Sequence, residues 1–161
     1  MKYNFDEIVN RRDTNSLKWD VGQDELPMWV ADMDFKTAPE VISALENRVS
    51  HGIFGYADVP DAWYDAYINW WSTRHNIVFE KEYMMFCTGV VAAISSIVRK
   101  LTTPAEKVVI QTPVYNIFYN SIINNGRLVF ENELKYENGI YSMDFDDFEK
   151  KLSDPQTTLM I

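Results

Sequence analysis

Two short runs carry the residue types best suited to chemistry. In Met84-Met85-Phe86-Cys87-Thr88-Gly89-Val90-Val91 an apolar strand pattern meets a glycine and then a helical pattern. If Thr88 or Gly89 caps that helix, the N–H groups of Val90 and Val91 have no partner inside it and face the positive end of its dipole, where a phosphate binds well. Gly89 would let the backbone turn sharply and keep a side chain out of the anion's way. The plainer reading is an ordinary strand-to-helix turn. In the second run, Gln111-Thr112-Pro113-Val114-Tyr115, an aromatic ring follows a strand at the edge where open α/β sheets take ligands. Thr112 is the expected cap and Pro113 suits a first helical turn. Tyr115 either offers a flat face to a planar cofactor or packs half-buried on the sheet. Together the two runs suit a phosphorylated aromatic ligand.

Other polar candidates are weaker. Tyr56 stands in a loop beside Gly55, where its hydroxyl either reaches an anion or merely packs. Asp32 and Asp34 flank Met33 in an apolar stretch, so their carboxylates need partners, solvent or a site to line. His51 and His75 lie far apart without metal-ligand spacing, and no metal site is expected. Cys87 reads as a small buried hydrophobe, and Met28, Met33, Met84 and Met85 as core filler.

The elements that must hold these residues change in character along the chain. Residues 1 to about 36 have little periodicity and read as an extended arm whose apolar centre must be covered by protein. Thr37-Ala38-Pro39-Glu40 resembles a capping box, followed by Val41, Ile42, Leu45 and Val49 on one helical face. Asp61 to His75 predicts a helix with Trp63, Tyr67, Trp70 and Trp71 as a core-facing stripe. From Tyr83 strands and helices alternate. Strands are expected at 83–87, 107–111, 127–131 and 157–161, with helices at about 90–101, 114–125 and 144–152. Asp144, Asp146 and Asp147 sit at the start of the last helix, and Asn138-Gly139 centres a small hairpin or turn. This order predicts an α/β fold with a mostly parallel sheet covered on both faces.

Bulk properties narrow the function classes. The 161 residues are 47% hydrophobic and 14% aromatic, which suits a sizeable core rather than disorder. Fifteen Lys and Arg against 24 Asp and Glu leave a net charge of −9, which disfavours nucleic acid and anionic membranes as partners. A single cysteine excludes an internal disulfide and fits a reducing compartment. No secretory signal is read at the N-terminus, and no run approaches the roughly 20 apolar residues of a membrane helix. A soluble, cytoplasmic protein is expected.

The motifs also carry a resemblance. Pro27-Met28-Trp29-Val30-Ala31-Asp32-Met33-Asp34-Phe35, His51-Gly52-Ile53-Phe54-Gly55-Tyr56, Thr88-Gly89-Val90-Val91 and Pro113-Val114-Tyr115-Asn116-Ile117-Phe118 closely resemble the MalY/PatB family. These are cystathionine β-lyase-like C–S lyases within the aminotransferase class I/II superfamily. The resemblance implies the N-terminal part of a fold type I, pyridoxal 5′-phosphate (PLP)-dependent transferase-like enzyme. Such a chain has an extended arm followed by a three-layer α/β/α large domain. Residues 1–50 would be the arm and first helix, a small-domain and dimer-contact segment. Residues 51–161 would be an incomplete PLP-binding domain.

By motif, the resemblance assigns the cofactor phosphate to the backbone at Gly89, Val90 and Val91, and the pyridine ring to Tyr115. Tyr56 would reach the phosphate of a neighbouring subunit, and Ala31 and Asp32 would border the substrate carboxylate. The family's Schiff-base lysine, pyridine-binding Asp and Tyr, and substrate-binding Arg match nothing before Ile161; Lys81, Lys100 and Lys107 are not candidates. The implied activity is β-elimination from cystathionine or cysteine conjugates to pyruvate, ammonia and a thiol, by a homo-oligomer acting on a small-molecule amino acid substrate. The 161-residue chain alone is expected to lack it. The alternatives are part of a class I/II aminotransferase, since one scaffold serves both reactions, and a non-catalytic interaction or regulatory module.

Overall fold

The computed structural model describes residues 3–161, which divide into two units, one ending at Asp58 and the other spanning Val59–Ile161. Among its described residues the first unit has a single helix. Before it the chain runs through turns without regular structure, held by polar side chains. The Arg12 guanidinium donates to the carbonyls of Val21, Gly22, Gln23 and Glu25 at 3.1–3.3 Å and lies over the Trp19 ring. One side chain thus satisfies four acceptors that no helix or sheet would. Met28 and Met33 are exposed and do not fill a core.

Helix α1 spans Pro39–Ser50. The expected capping box is absent: Ala38 is the N-cap, and no side chain caps the helix. Pro39 explains the shift, because proline's missing N–H and fixed φ place it at the first helical position and make the residue before it the cap. Val41, Ile42, Leu45 and Val49 do share a face, but all four are exposed.

The second unit opens with α2, Asp61–His75, at the expected bounds. Its end is set by Asn76 in the left-handed conformation at φ 54°, with the Asn76 N–H donating to the Trp71 carbonyl. The aromatic stripe is not core. Trp63 meets Phe86 edge-on at 5.4 Å, and Tyr67 and Trp71 meet Phe79. None of the helix is buried, and Trp70 lies exposed beneath Arg74.

The strand expected at 83–87 is also absent. Lys81–Tyr83 is a turn of 3-10 helix, and residues 84–88 run without a ladder partner. A strand needs a neighbour to take its backbone hydrogen bonds, and none of the described strands pairs with this segment. Met85 and Cys87 are consequently exposed rather than packed inside, and Met84 is only half-buried.

From α3, Val90–Leu101, the expected alternation appears. Strand β1, Lys107–Thr112, is central, flanked in parallel by β2, Leu128–Glu133, and β5, Thr157–Met160. Helix α4, Asn116–Ile123, connects β1 to β2. Between β2 and β5 lie the hairpin β3, Lys135–Glu137, and β4, Ile140–Ser142, then α5, Phe145–Leu152. The hairpin turn uses Asn138 and Gly139, both at positive φ (52° and 83°), the conformation that matches strand twist.

Side-chain alternation sends β1 to both faces of the sheet. Val108 and Ile110 pack with Ile122 of α4, Val129 and Leu159. On the other face, Phe130 meets Lys151 of α5 and Asn132 meets Asp147. Val108, Val109 and Ile110 are all fully withdrawn from water, so β1 is sandwiched between helices as the composition predicts.

Candidate functional site

Gly89 is the N-cap of α3, and the first backbone bond of the helix runs from Ala93 N–H to the Gly89 carbonyl at 3.0 Å. The N–H groups of Val90 and Val91 therefore lie ahead of the helical ladder, uncommitted to it. Both residues are exposed, Val90 to 73%, and no acid occupies the first turn to neutralise the dipole. Gly89 has φ 166°, which is extended backbone that any residue adopts, so the turn itself does not require glycine. A Cβ there would meet nothing within 4 Å. What glycine leaves is free space above unpaired donors, which is the condition for an anion to approach.

Tyr115 follows the last residue of β1 by three positions and is itself the N-cap of α4. Thr112 is not the cap. It ends β1, buried, and accepts a backbone bond from Leu134 at 2.8 Å. Its backbone is committed to the strand, so the helix begins later, at Asn116. The Tyr115 ring is 63% exposed and touches Phe118 edge-on at 6.2 Å. It stands out from the sheet rather than packing on it.

The connectivity points Tyr115 and the α3 N-terminus toward one end of the second unit. Residues 102–106 lead from α3 into the amino end of β1, where Arg127 at the foot of β2 bonds Thr102 and the Arg99 carbonyl. The C-terminus of α3 is thus at the amino edge of the sheet. Twelve helical residues rise about 18 Å, close to the reach of a six-residue strand, so its N-terminus lies toward the carboxyl edge. Tyr115 follows β1 at that same edge. Free N–H donors and an exposed phenol ring fit a phosphorylated, flat cofactor, as that edge of a parallel sheet is expected to.

The remaining expected site residues lie in the first unit. Tyr56 is fully exposed at 112% of its reference area. Ala31 and Asp32 are exposed, but Asp32 is held by Arg11 at 2.5 Å. Asp34, two residues on, takes Arg11 at 2.6 Å, Lys18 at 2.7 Å and the Trp19 indole N–H at 2.8 Å. Hydrogen bonds from Lys18, Trp19 and Arg11 push the Asp34 carboxyl far below the usual carboxylate range. The same two carboxylates raise Arg11. Sequence reasoning asked for partners to Asp32 and Asp34 but did not find Arg11, Lys18 or Trp19. The only signal was the need of an apolar arm to neutralise two acids.

A second polar cluster also went unread. Asn132 is fully buried in β2, accepts from the Gln111 amide at 3.2 Å and donates to Asp147 at 2.8 Å. Lys151 completes the chain to Asp147, whose carboxyl it holds below the ordinary range, with Asn132 assisting. The register that pairs Gln111 with Asn132 was the missing information. Asp144 caps α5 as expected, accepting from the Asp147 N–H at 3.2 Å. Lys81 and Lys107 are tied to Asp61 and Asp154 at 2.5 Å each, so neither is a free amine. Among the described residues no group of side chains is arranged to hold a metal ion, and no helix is long and apolar enough to cross a membrane.

Known proteins resemble this chain in sequence and fold. Residues 24–161 match the family model described as aminotransferase class I and II. The chain is 44% identical to cystathionine beta-lyase PatB of Bacillus subtilis (strain 168), over 98% of this chain and 42% of that protein. It is 32% identical to protein MalY of Escherichia coli (strain K12), over 99% of this chain and 43% of that one. The crystal structure of cystalysin from Treponema denticola, which contains pyridoxal 5′-phosphate, superposes with a TM-score of 0.89 at 32% identity. That match covers 99% of this chain and 43% of cystalysin. The chain thus spans about two fifths of the length of the curated relatives it matches. With the match extending over most of its residues, the chain belongs to the aminotransferase class I and II family.

Proposed function

We propose that this chain is part of a PLP-dependent C–S lyase that cleaves cystathionine or a cysteine conjugate to pyruvate, ammonia and a thiol. The observation that carries this reading is that the N–H groups of Val90 and Val91 are uncommitted to their helix and stand in the open; the exposed ring of Tyr115 after β1 supports it. PatB, similar over nearly the whole chain, is a cystathionine β-lyase by name, and the cystalysin structure contains the cofactor.

When bound, PLP supplies an electron-poor ring that stabilises negative charge at the substrate Cα. The residues of this chain bind and orient. The N–H groups of Val90 and Val91 hold the phosphate, helped by the dipole of α3, and the space over Gly89 admits it. Tyr115 lends its face to the ring. Tyr56 donates its hydroxyl to the phosphate held by a second copy, and Ala31 and Asp32 border the substrate carboxylate. Arg11 offsets the charge of Asp32, which would otherwise repel that carboxylate. A homo-oligomer follows from the role of Tyr56 and is supported by the exposed apolar face of α1. The reducing cytoplasm suits the exposed free thiol of Cys87.

The test supplies L-cystathionine and PLP to the protein that carries this chain. Equal amounts of pyruvate and thiol are expected; keto-acid exchange without thiol release identifies an aminotransferase instead. Tyr115→Ala should weaken PLP binding about tenfold, the scale of one lost aromatic contact. Unchanged affinity, read by absorbance titration, would remove Tyr115 from the site.

A further inference from the structure

We infer that Asp34 is a positioning residue for substrate, acting through the backbone of the Ala31-Asp32 segment that the proposed function assigns to the substrate carboxylate. The geometry singles out Asp34 because three donors from one short stretch converge on it. Lys18 Nζ reaches Asp34 Oδ2 at 2.7 Å, Trp19 Nε1 reaches Oδ1 at 2.8 Å, and Arg11 reaches Oδ1 at 2.6 Å. Lys18, with its side chain only 9% exposed, also donates to the Asp32 carbonyl at 2.8 Å. Arg11 takes the Asp32 carboxylate with its other terminal nitrogen.

The result is a fork. Two cations each bind Asp34 and a second atom of Asp32, one backbone and one side chain. Asp32 thereby loses freedom at both its carbonyl and its carboxylate, although it is itself exposed and lies in neither helix nor strand. Regular structure would fix this backbone by ladder bonds; here the fixing comes from Asp34, the shared partner of the two cations that also hold Asp32. Arg11 and Lys18 are held in place by that anion, since each spans from it to Asp32. Removing the Asp34 carboxylate takes one partner from each cation: Lys18 is left buried against a single carbonyl, and Arg11 keeps Asp32, the Met33 carbonyl and Ser16 but loses the bridge between the two acids.

This inference rests on the substrate-binding role proposed for Ala31 and Asp32, and its test separates the two. In the PLP-loaded protein, Asp34→Ala should raise KM for L-cystathionine about tenfold or more, as loss of a charge-assisted hydrogen bond implies. Its kcat should stay within about threefold and its PLP affinity within about twofold, because the loss is one of substrate binding rather than chemistry. Trp19→Phe removes one donor and should raise KM about threefold.

If Asp34→Ala does not fold, Trp19→Phe alone decides. Unchanged KM in the folded variants overturns the inference, as does a parallel fall in kcat, substrate affinity and PLP affinity, which would mark general damage. If the wild-type protein releases no thiol, the lyase reading fails. The same variants are then titrated with L-alanine, which carries no Cβ leaving group. A Kd raised about tenfold in Asp34→Ala sustains the positioning role, and an unchanged Kd overturns it.

Discussion

The two units are held together by different physics. In the second, Val98, Val108, Val109, Ile110 and Ile122 are fully buried, and the parallel ladder of β1 runs between them. In the first, no described Val, Leu, Ile or Met side chain is buried, and Pro27 is the one apolar residue among those described that is withdrawn from water. Its order comes from Arg11, Arg12 and Lys18, whose charged heads gather carbonyls and carboxylates. Apolar burial is non-directional and adds up over area, whereas a guanidinium imposes a geometry through a few bonds that water also competes for. The sheet unit is therefore built to be stable, and the arm is built to have a particular shape. Residues expected to touch the substrate sit in the region whose order depends on charge.

Core truncation should separate the units most sharply. Ile110→Ala is expected to cost about 2–5 kcal/mol, since the side chain is sealed between α4 and the sheet. Leu45→Ala on α1, where the side chain is 60% exposed, should stay within about 0.5 kcal/mol. Urea unfolding of both variants checks the pair; equal losses would mean that the first unit has an apolar core after all.

A smaller effect tests whether polar order also matters in the sheet unit. Asn132→Ala deletes a fully buried amide, strands the Gln111 amide and leaves Asp147 to Lys151 alone, for an expected cost of about 1–3 kcal/mol in the same measurement. No loss would show that water replaces the amide and that the cluster is ornamental to stability.

The mildest prediction concerns pH and the arm alone. The Asp34 carboxyl is lowered in the folded chain by Lys18, Trp19 and Arg11, so its contribution is fully present above the ordinary Asp value of about 3.9. It is lost only as pH falls below that, toward the depressed folded value. The indole N–H resonance of Trp19, bonded to Asp34, should hold steady from neutral pH to about 4.5 and move only in stronger acid. A midpoint at or above the ordinary Asp value would show that the three donors do not hold the carboxylate in solution.

Much of the sheet unit was legible beforehand. The apolar run 107–111, the Asn125-Gly126 stop and the Asn138-Gly139 turn each state a local preference that the tertiary structure also satisfies, and the elements formed within a few residues of expectation. Residues 83–87 show the limit of such reading. Met84, Met85 and Phe86 have a strand's composition, but a strand is a pairing, and pairing is not a property of one segment. Buried methionines and a buried Cys87 were expected for the same reason, and all went with the missing ladder. The site divides in a similar way. The glycine before a helix at Gly89 and the aromatic after a strand at Tyr115 are local patterns, whereas the grip of Arg11 and Lys18 on Asp34 spans 23 and 16 positions of chain.

By itself the sequence settled what depends on neighbours along the chain: helix periodicity, turn residues, the alternation that yields a parallel sheet, and the motifs that identify the family. Only the tertiary structure decided which apolar residues leave water, which carboxylates are neutralised and by which cation, and that Gly89 and Tyr115, rather than Thr112, are the residues that start their helices. The reason is physical. Local conformation is governed by sterics and hydrogen bonds within a few residues, while burial and ion pairing depend on distances that exist only after the chain has folded.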